Sequence, residues 1–382
     1  MICMVMVIWK RCEQRLFKNN VTITKLEALI MMKKVGVLGL AHGHIHAICD
    51  EWTNPEHQIC VIAGWDHDQI RLQQAVEKYK LIAYDSPEQL LMNSNVDAVI
   101  ITAETSRHAD LVEMSAAAGK AIILYKPMSI TMPEADRIVN AVNQHGVPFT
   151  MAWQMRVDPQ NVKMKQLIES SELGRVLMVR RKHSLGMGLN ADFANSWHVQ
   201  PEENRDIWAD DASHPIDFIH WLLGVPETIT AEIESIYNPK IPMDNGVAIF
   251  KYKNGPIAEV TCSFTCPASE NTTEIICEKG SIIQNYGDST SCNVPRPEGA
   301  PGLKWFTKET NDWIVSPIPS PANHSMRIRG NAAPLAQFLH GSRPSLCTAE
   351  EGRTSLRMLL ACYVSTREGR RVSIDDQAIT GV

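Results

Sequence analysis

The chain has 382 residues, 44% hydrophobic and 21% charged, an ordinary globular composition long enough for two domains that each bury a core. A formal net charge of −6 and a pI near 6.1 give no general basic field for nucleic acid or anionic lipid, so small molecules or copies of the chain itself are the expected partners. Ten cysteines without C-x-x-C pairs or zinc-like spacing read as reduced thiols of a cytoplasmic protein; on a strand, Cys262 and Cys266 would stand about 13 Å apart at ~3.3 Å per residue, too far to bridge.

Residues 1–32 differ in character from the rest of the chain. Met1–Trp9 is an apolar run too short for a bilayer, which needs about 20 residues, and its positive charges (Lys10, Arg11, Arg15, Lys18) come after it, the reverse of a signal peptide. The stretch reads as an atypical, poorly ordered extension, or as translated sequence upstream of the true start. Met31-Met32-Lys33-Lys34 then leads directly into the first strand.

From Val35 short apolar runs alternate with helical stretches: strands at 35–40, 59–65, 97–102 and 121–124, and helices from about 43, over 68–80 and over 106–118. That alternation predicts βαβ units and a doubly wound parallel sheet of Rossmann type over residues 33–152. Thr131-Met132-Pro133-Glu134 is a capping box that starts a helix running to about Gly146, and 147–154 reads as the strand that leaves the domain.

Residues 153–374 are expected to form an α+β domain with an open, mostly antiparallel sheet. Asp158-Pro159 opens a helix to Ser170, 175–183 is a strand, and 210–223 is helical. Strands are expected at 228–236, 246–252, 257–264 and 273–277, with Lys253-Asn254-Gly255 as a hairpin turn. Residues 287–321, rich in Pro, Gly, Ser and Asn, read as a long irregular loop before closing helices at 327–340 and 349–368.

Two constellations carry chemistry. The first strand leads into Gly39-Leu40-Ala41-His42-Gly43, a tight turn whose small residues would let the backbone approach a pyrophosphate at a helix amino end, although Ala41 stands where a dinucleotide fingerprint has its second glycine. Asp66 ends the second strand, where a carboxylate can accept hydrogen bonds from ribose hydroxyls and repel a ribose phosphate; no arginine stands directly beside it, so NAD is expected in preference to NADP. His42, His44 and His46 lack a complementary ligand set elsewhere in the sequence, so no metal is expected. The second constellation is Lys126, delivered to the carboxyl end of the strand at 121–124, and the helical run Asp210, His214, Asp217, whose i, i+4, i+7 spacing gathers three polar side chains on one face. By itself His214 reads as a half-buried, hydrogen-bonded histidine.

These phrases resemble the Gfo/Idh/MocA family of NAD(P)-dependent sugar and cyclitol oxidoreductases, over nearly everything from Lys33 to Ile374. The resemblance rests on Val96–Thr102 with His108 six residues later, on Ala118-Gly119-Lys120 leading to Tyr125-Lys126-Pro127, and on Asp210-x-x-x-His214-x-x-Asp217. Tyrosine occupies the place of the family's glutamate at 125. The resemblance implies that Gly39, Ala41, His42, Gly43, Asp66, Thr102, Ala103, His108, Tyr125 and Lys126 line the cofactor, and that Lys126 lies between nicotinamide and substrate. It also implies oligomerisation, as dimer or tetramer, through the exposed face of the second sheet.

The expected reaction is hydride transfer between a secondary alcohol and NAD. His214 would serve as general base, Lys126 would bind the reacting oxygen, and Asp210 would bind a neighbouring hydroxyl or orient the histidine. Trp153, Gln154, Arg156, His183, Trp197, His198 and Asp217, with Asp210, are the candidate contacts to a sugar, glycoside or inositol, with tryptophan for C–H faces and the polar groups for hydroxyls. A redox-neutral glycoside-cleaving enzyme of the same family and a non-catalytic sugar or nucleotide sensor are the alternatives.

Overall fold

A computed structural model of the protein describes residues 32–285 and 298–382. The expectations for residues 1–31 and for the first part of the 287–321 loop therefore lie outside the described residues. By residue contacts the chain divides into two compact units: one runs through Tyr125 and adds Arg137–Ala152 and Ile328–Ala349, the other comprises Lys126–Asp136, Trp153–Arg327 and Glu350–Val382. Two segments thus fall differently from the expected 33–152 and 153–374. The stretch after Tyr125 clusters with the second unit, and residues 328–349 return to the first, where the Trp52 indole donates to Ala332 O (2.9 Å) and Met151 N to Cys347 O (2.9 Å).

In the first unit, β1 (Lys33–Leu38), β2 (Ile59–Trp65), β3 (Ile82–Ala83), β4 (Ala98–Ile101), β5 (Ala121–Leu124) and β6 (Phe149–Met151) form a parallel sheet in the order β3-β2-β1-β4-β5-β6. Nearly every residue of β2, β4 and β5 is buried, which is why these strands read as continuous apolar runs. The order reverses between β1 and β4, so the loops after Leu38 and Ile101 open side by side at the carboxyl edge. The helices are α1 (His44–Glu51), α2 (Gln69–Tyr79), α3 (Pro87–Leu91) and α4 (His108–Ala117), then α5 (Met132–His145). Asp68 caps α2 through Ile70 N and Arg71 N, and Glu134 accepts from Thr131 N and Ile130 N at the start of α5, as the capping box predicts. The exit strand is shorter than expected: Gln154–Arg156 is a 3-10 turn.

The second unit carries a nine-stranded sheet. Its strands are β7 (Val176–Ser184), β8 (Thr228–Glu234), β9 (Asn245–Lys251), β10 (Ile257–Ser263), β11 (Thr272–Cys277), β12 (Gly280–Gln284), β13 (Leu303–Thr307), β14 (Asp312–Val315) and β15 (Val372–Ser373). The order is β14-β13-β12-β11-β7-β10-β9-β8-β15, antiparallel except where β7 meets β10. Strict alternation buries Val179, Arg181 and His183 of β7 while Arg180 and Lys182 face out.

The remaining helices, in chain order, are α6 (Pro159–Glu169), the short α7 (Pro201–Asn204) and α8 (Ser213–Leu223) of this unit, α9 (His324–Arg329), which runs across the boundary at Arg327, α10 (Ala332–Leu339) of the first unit, and α11 (Ala349–Glu368), nearly all of it in the second. The hydroxyls Ser365 and Thr366 of α11 accept from Ala231 N and Ile233 N of β8.

Strands β13 and β14 correct the expected irregular loop. Leu303, Trp305 and Thr307 alternate inward, and a turn with Asn311 at φ 49° joins the two strands; the density of Pro, Gly and Ser on both sides hides this short period-2 signal. The expected helix at 327–340 is two, α9 and α10, parted near Gly330 and Asn331. Among the described residues the cysteines are thiols, six of the seven buried, and no helix is long and apolar enough to cross a membrane.

Candidate active site

The turn after β1 is built around Gly39. Its φ of +81° is left-handed, and a Cβ there would fall 2.3 Å from Ala103 Cα, so no side chain fits. Gly39 N donates to Trp65 O (2.8 Å) and His42 N to Thr102 O (2.9 Å), while the Thr102 hydroxyl donates to Gly39 O, which straps the turn to the ends of β2 and β4. His108 is buried with Nε2 3.1 Å from Ala103 O, fixing the facing loop. Gly43 caps α1 with nothing within 4 Å of where its Cβ would stand, the open backbone that a phosphate needs.

Asp66 is fully buried, and this changes its expected role. One oxygen accepts from Leu40 N (2.6 Å); the other accepts from Asp68 N (2.7 Å) and the Arg71 guanidinium (2.9 Å). Both oxygens are engaged from within the loop, so the carboxylate braces the turn instead of standing open to a ribose. The expected lack of an arginine is likewise corrected: Arg71, in the first turn of α2, reaches back to Asp66 and to Glu104 (2.6 Å). A helix that starts at Gln69 returns its third residue toward the strand end, which linear adjacency does not reveal.

The three histidines diverge. His42 packs 4.3 Å from the His44 ring and 5.2 Å from that of Tyr125, whereas His46 stacks on Tyr79. Among the described residues no group of three or more His, Cys, Asp or Glu is arranged to hold a metal ion. Tyr125 is 1% exposed, its hydroxyl has no hydrogen-bond partner, and burial pushes that phenol up. A buried hydroxyl without a partner, and a turn held by Gly39 with open backbone at Gly43, are what a crevice built for a dinucleotide presents, and the residues fit that group.

In the second unit the chemistry gathers at the start of α8. Trp208–Ala212 is a π-helical turn continuous with the helix, a widened geometry often found at functional sites. It projects two adjacent carboxylates in different directions. Asp210 meets Lys126, whose Nζ lies 3.0 Å from Oδ1 and 3.1 Å from the Asp210 carbonyl; Asn204 (2.8 Å) and His198 (3.1 Å) share that Oδ1. Burial alone would push the Asp210 carboxyl up, but His198 and Lys126 outweigh it and hold the group well below the usual carboxylate range.

Asp211 turns the other way, 3.0 Å from His183 Nε2 and 3.8 Å from His214 Nε2. The Gln154 amide lies 3.4 Å from the same His214 nitrogen, and Trp153 meets that ring edge-on at 5.5 Å. Trp197 stacks on His198 at 4.0 Å. Lys126, Asp210, His214, Trp153, Gln154, His183, Trp197 and His198 are thus brought together.

Arg156 and Asp217 depart from their expected place among the substrate contacts. They grip each other through parallel bonds of 2.9 and 2.8 Å, both buried, with Ser355 on Asp217 and Glu351 on Arg156. One full bidentate pair leaves neither fork to a ligand. The sequence reading missed Asp211, Asn204, Arg71 and Glu104; only the Asp210-Asp211 doublet carried a visible signal.

Comparison with known proteins agrees with this architecture. A model described as an oxidoreductase family with an NAD-binding Rossmann fold matches residues 33–153, and one described as the GFO/IDH/MocA C-terminal domain matches residues 161–283. Inositol 2-dehydrogenase of Salmonella typhimurium is 28% identical over 200 residues, 51% of this chain and about half (55%) of that protein. Myo-inositol 2-dehydrogenase of Thermotoga maritima is 22% identical over 354 residues, 90% of this chain and 99% of that one. The structure of levoglucosan dehydrogenase with NADH and levoglucosan shares the fold, with a TM-score of 0.78 and 18% identity over 90% of this chain and 100% of that one. With both of its domain models matched in order along the chain, this protein belongs to the Gfo/Idh/MocA family of NAD-binding oxidoreductases.

Proposed function

We propose that the protein oxidises a secondary hydroxyl of a sugar or cyclitol by hydride transfer to NAD, with Lys126 and His214 as its acid–base groups. The observation that carries this reading is the convergence of a buried lysine and a buried histidine, each beside its own carboxylate, at one helix start. The names of the relatives, inositol and levoglucosan dehydrogenases, support a polyhydroxylated substrate.

Bound NAD would supply the hydride acceptor, held by the turn at Gly39–Gly43, by Thr102 and Ala103, and by Tyr125. Lys126 has three N–H donors, two of them committed to Asp210; the third is available to the reacting oxygen, where its positive charge favours the alkoxide-like transition state. His214 takes the hydroxyl proton. Trp197 and His198 offer a stacked aromatic and polar surface for a ring with hydroxyls. Next to Asp66 and Glu104, Arg71 is already compensated, which supports NAD over NADP.

Homo-oligomerisation is part of the same reading. Met178, Ile249 and Ile257 stand exposed on the outward face of the second sheet, around the Arg180, Glu259 and Glu274 cluster, and a second copy would cover them. The buried thiols support a reducing, cytoplasmic setting.

The test is absorbance at the reduced-nicotinamide band with purified protein, NAD and a panel of free sugars, inositols and glycosides, with product analysis. Growth of the band with a keto product is expected; aglycone release without net growth would replace dehydrogenation by redox-neutral glycoside cleavage.

A further inference from the structure

We propose that Asp211 is the counter-ion of His214 and that His183 is the group that holds it in place, so that the two adjacent aspartates of the π-helical turn serve two different bases. This rests on the assignment of His214 as proton acceptor. Asp210 is engaged on its other side: its Oδ1 is shared by Lys126, Asn204 and His198. Asp211 touches none of these in the same way. It spans the two imidazoles, whose ring centroids are 6.3 Å apart, with one oxygen toward each.

Hydrogen positions are set by the partners. An imidazole nitrogen 3.0 Å from a carboxylate oxygen carries the hydrogen of that bond, so His183 is the Nε2–H tautomer. Its Nδ1 is buried without a partner, so nothing else orients the ring but Asp211 and packing. At His214 the Gln154 amide donates toward Nε2, which leaves the lone pair on that nitrogen.

In oxidation His214 Nε2 would take the substrate's hydroxyl proton, the substrate hydroxyl replacing the Gln154 amide at that lone pair, and bound NAD would supply the acceptor for the carbinol hydride. The resulting imidazolium faces Asp211 Oδ1, an anion already fixed in a dry site, where charge stabilisation is larger than in water. Asp211 and His183 are positioning residues that act through His214.

Other charged or titratable groups around this pair are Arg181 on β7, Cys262 on β10, and Asp210 on the turn itself. Cys262 registers the inward charge: burial first, and the Asp211 carboxylate second, push its thiol well above the ordinary range.

The experiment measures kcat and KM separately for Asp211→Asn, His183→Leu and His183→Gln, and records the imidazole resonances of [15N]histidine-labelled protein. Asp211→Asn and His183→Leu should each lower kcat by roughly 10–100-fold, a part of the 10²–10⁴ that acid–base catalysis supplies, with KM changed less than about 3-fold. His183→Gln, whose amide can still donate to Asp211, should recover several-fold of the loss, which separates positioning from folding. In the wild type His183 should show the Nε2–H tautomer, and Asp211→Ala, which removes the acceptor that Asp211→Asn would keep, should abolish it. That spectrum needs no turnover: a wild-type protein inactive on every polyol would sink the oxidoreductase reading, yet the resonances would still decide whether Asp211 joins the two rings. Wild-type kcat in Asp211→Asn, no advantage of Gln over Leu at 183, or an unchanged His183 resonance in Asp211→Ala would each overturn the proposal. If Asp211→Asn does not fold, the two His183 variants decide.

Discussion

Lys126 Nζ sits 3.0 Å from Asp210 Oδ1 although 84 residues separate them, and both side chains are buried. The lysine therefore holds one fixed position, with one donor left over, instead of sampling the rotamers of a surface chain. Lys126→Ala and His214→Ala should each cost on the order of 10²–10⁴ in kcat/KM with sugar or cyclitol and NAD. Lys126→Arg should not restore activity, because a planar fork cannot reproduce a point contact to Asp210 and a third donor. Wild-type turnover in either alanine variant, at wild-type circular dichroism, would refute the assignment.

Arg156 and Asp217 predict the opposite behaviour. Their paired bonds, closed off by Ser355 and Glu351, make a buried ion pair with a structural duty. Removing one partner leaves a buried charge uncompensated, so Asp217→Asn and Arg156→Met should each lower unfolding free energy by about 3–5 kcal/mol in urea titrations. Protein that remains folded should keep KM for substrate within a small factor. A large KM rise at unchanged stability would return the pair to the substrate site.

Gly39 is constrained twice, by its left-handed φ and by Ala103 Cα 2.3 Å from the missing Cβ. Gly39→Ala must push apart two strapped loops, since the obstacle is backbone. Loss of NAD binding by calorimetry is expected, together with a lower thermal midpoint, whereas Gly43→Ala, in open space, should fold normally. Normal NAD affinity in Gly39→Ala would show that the turn is not the cofactor's seat.

Asp206 carries a pH signature. It is buried next to Tyr363, which donates to it at 2.6 Å, and burial raises its carboxyl to about 6 despite that bond. The folded state thus keeps a proton that the unfolded chain has already lost above about 4. This contribution to stability is present below that value and disappears as pH rises from about 4 to about 6, by something on the order of 1–3 kcal/mol. Asp210, held low, acts in the opposite sense and only at more acid pH. Asp206→Asn keeps an acceptor for Tyr363 and Ala209 N, so its urea midpoint should be flatter than wild type between pH 4.5 and 7 and higher at pH 7. Parallel curves for the two proteins would remove Asp206 as the source.

Much of this protein was legible along the chain. Buried parallel strands announce themselves as unbroken apolar runs, as in Ala121–Leu124, and caps such as Asp68, Glu134 and Asp158 act within three or four residues, so local sequence determines both. Lys126, Asp210 and His214 were legible as residue types, but the i, i+4, i+7 spacing assumed one regular helix with one polar face, whereas Asp210 lies on the π-helical turn and Asp217 pairs with Arg156.

What each carboxylate faces was decided only by tertiary structure. Asp217 goes to Arg156, 61 residues away, and Asp66 is turned inward by Leu40 and Arg71. Asp210 and Asp211, neighbours in sequence, part company because the π-helical turn points one at Lys126 and the other at His183 of β7. A buried charge takes whichever partner the fold delivers within about 3 Å, and no periodicity along the chain encodes that distance.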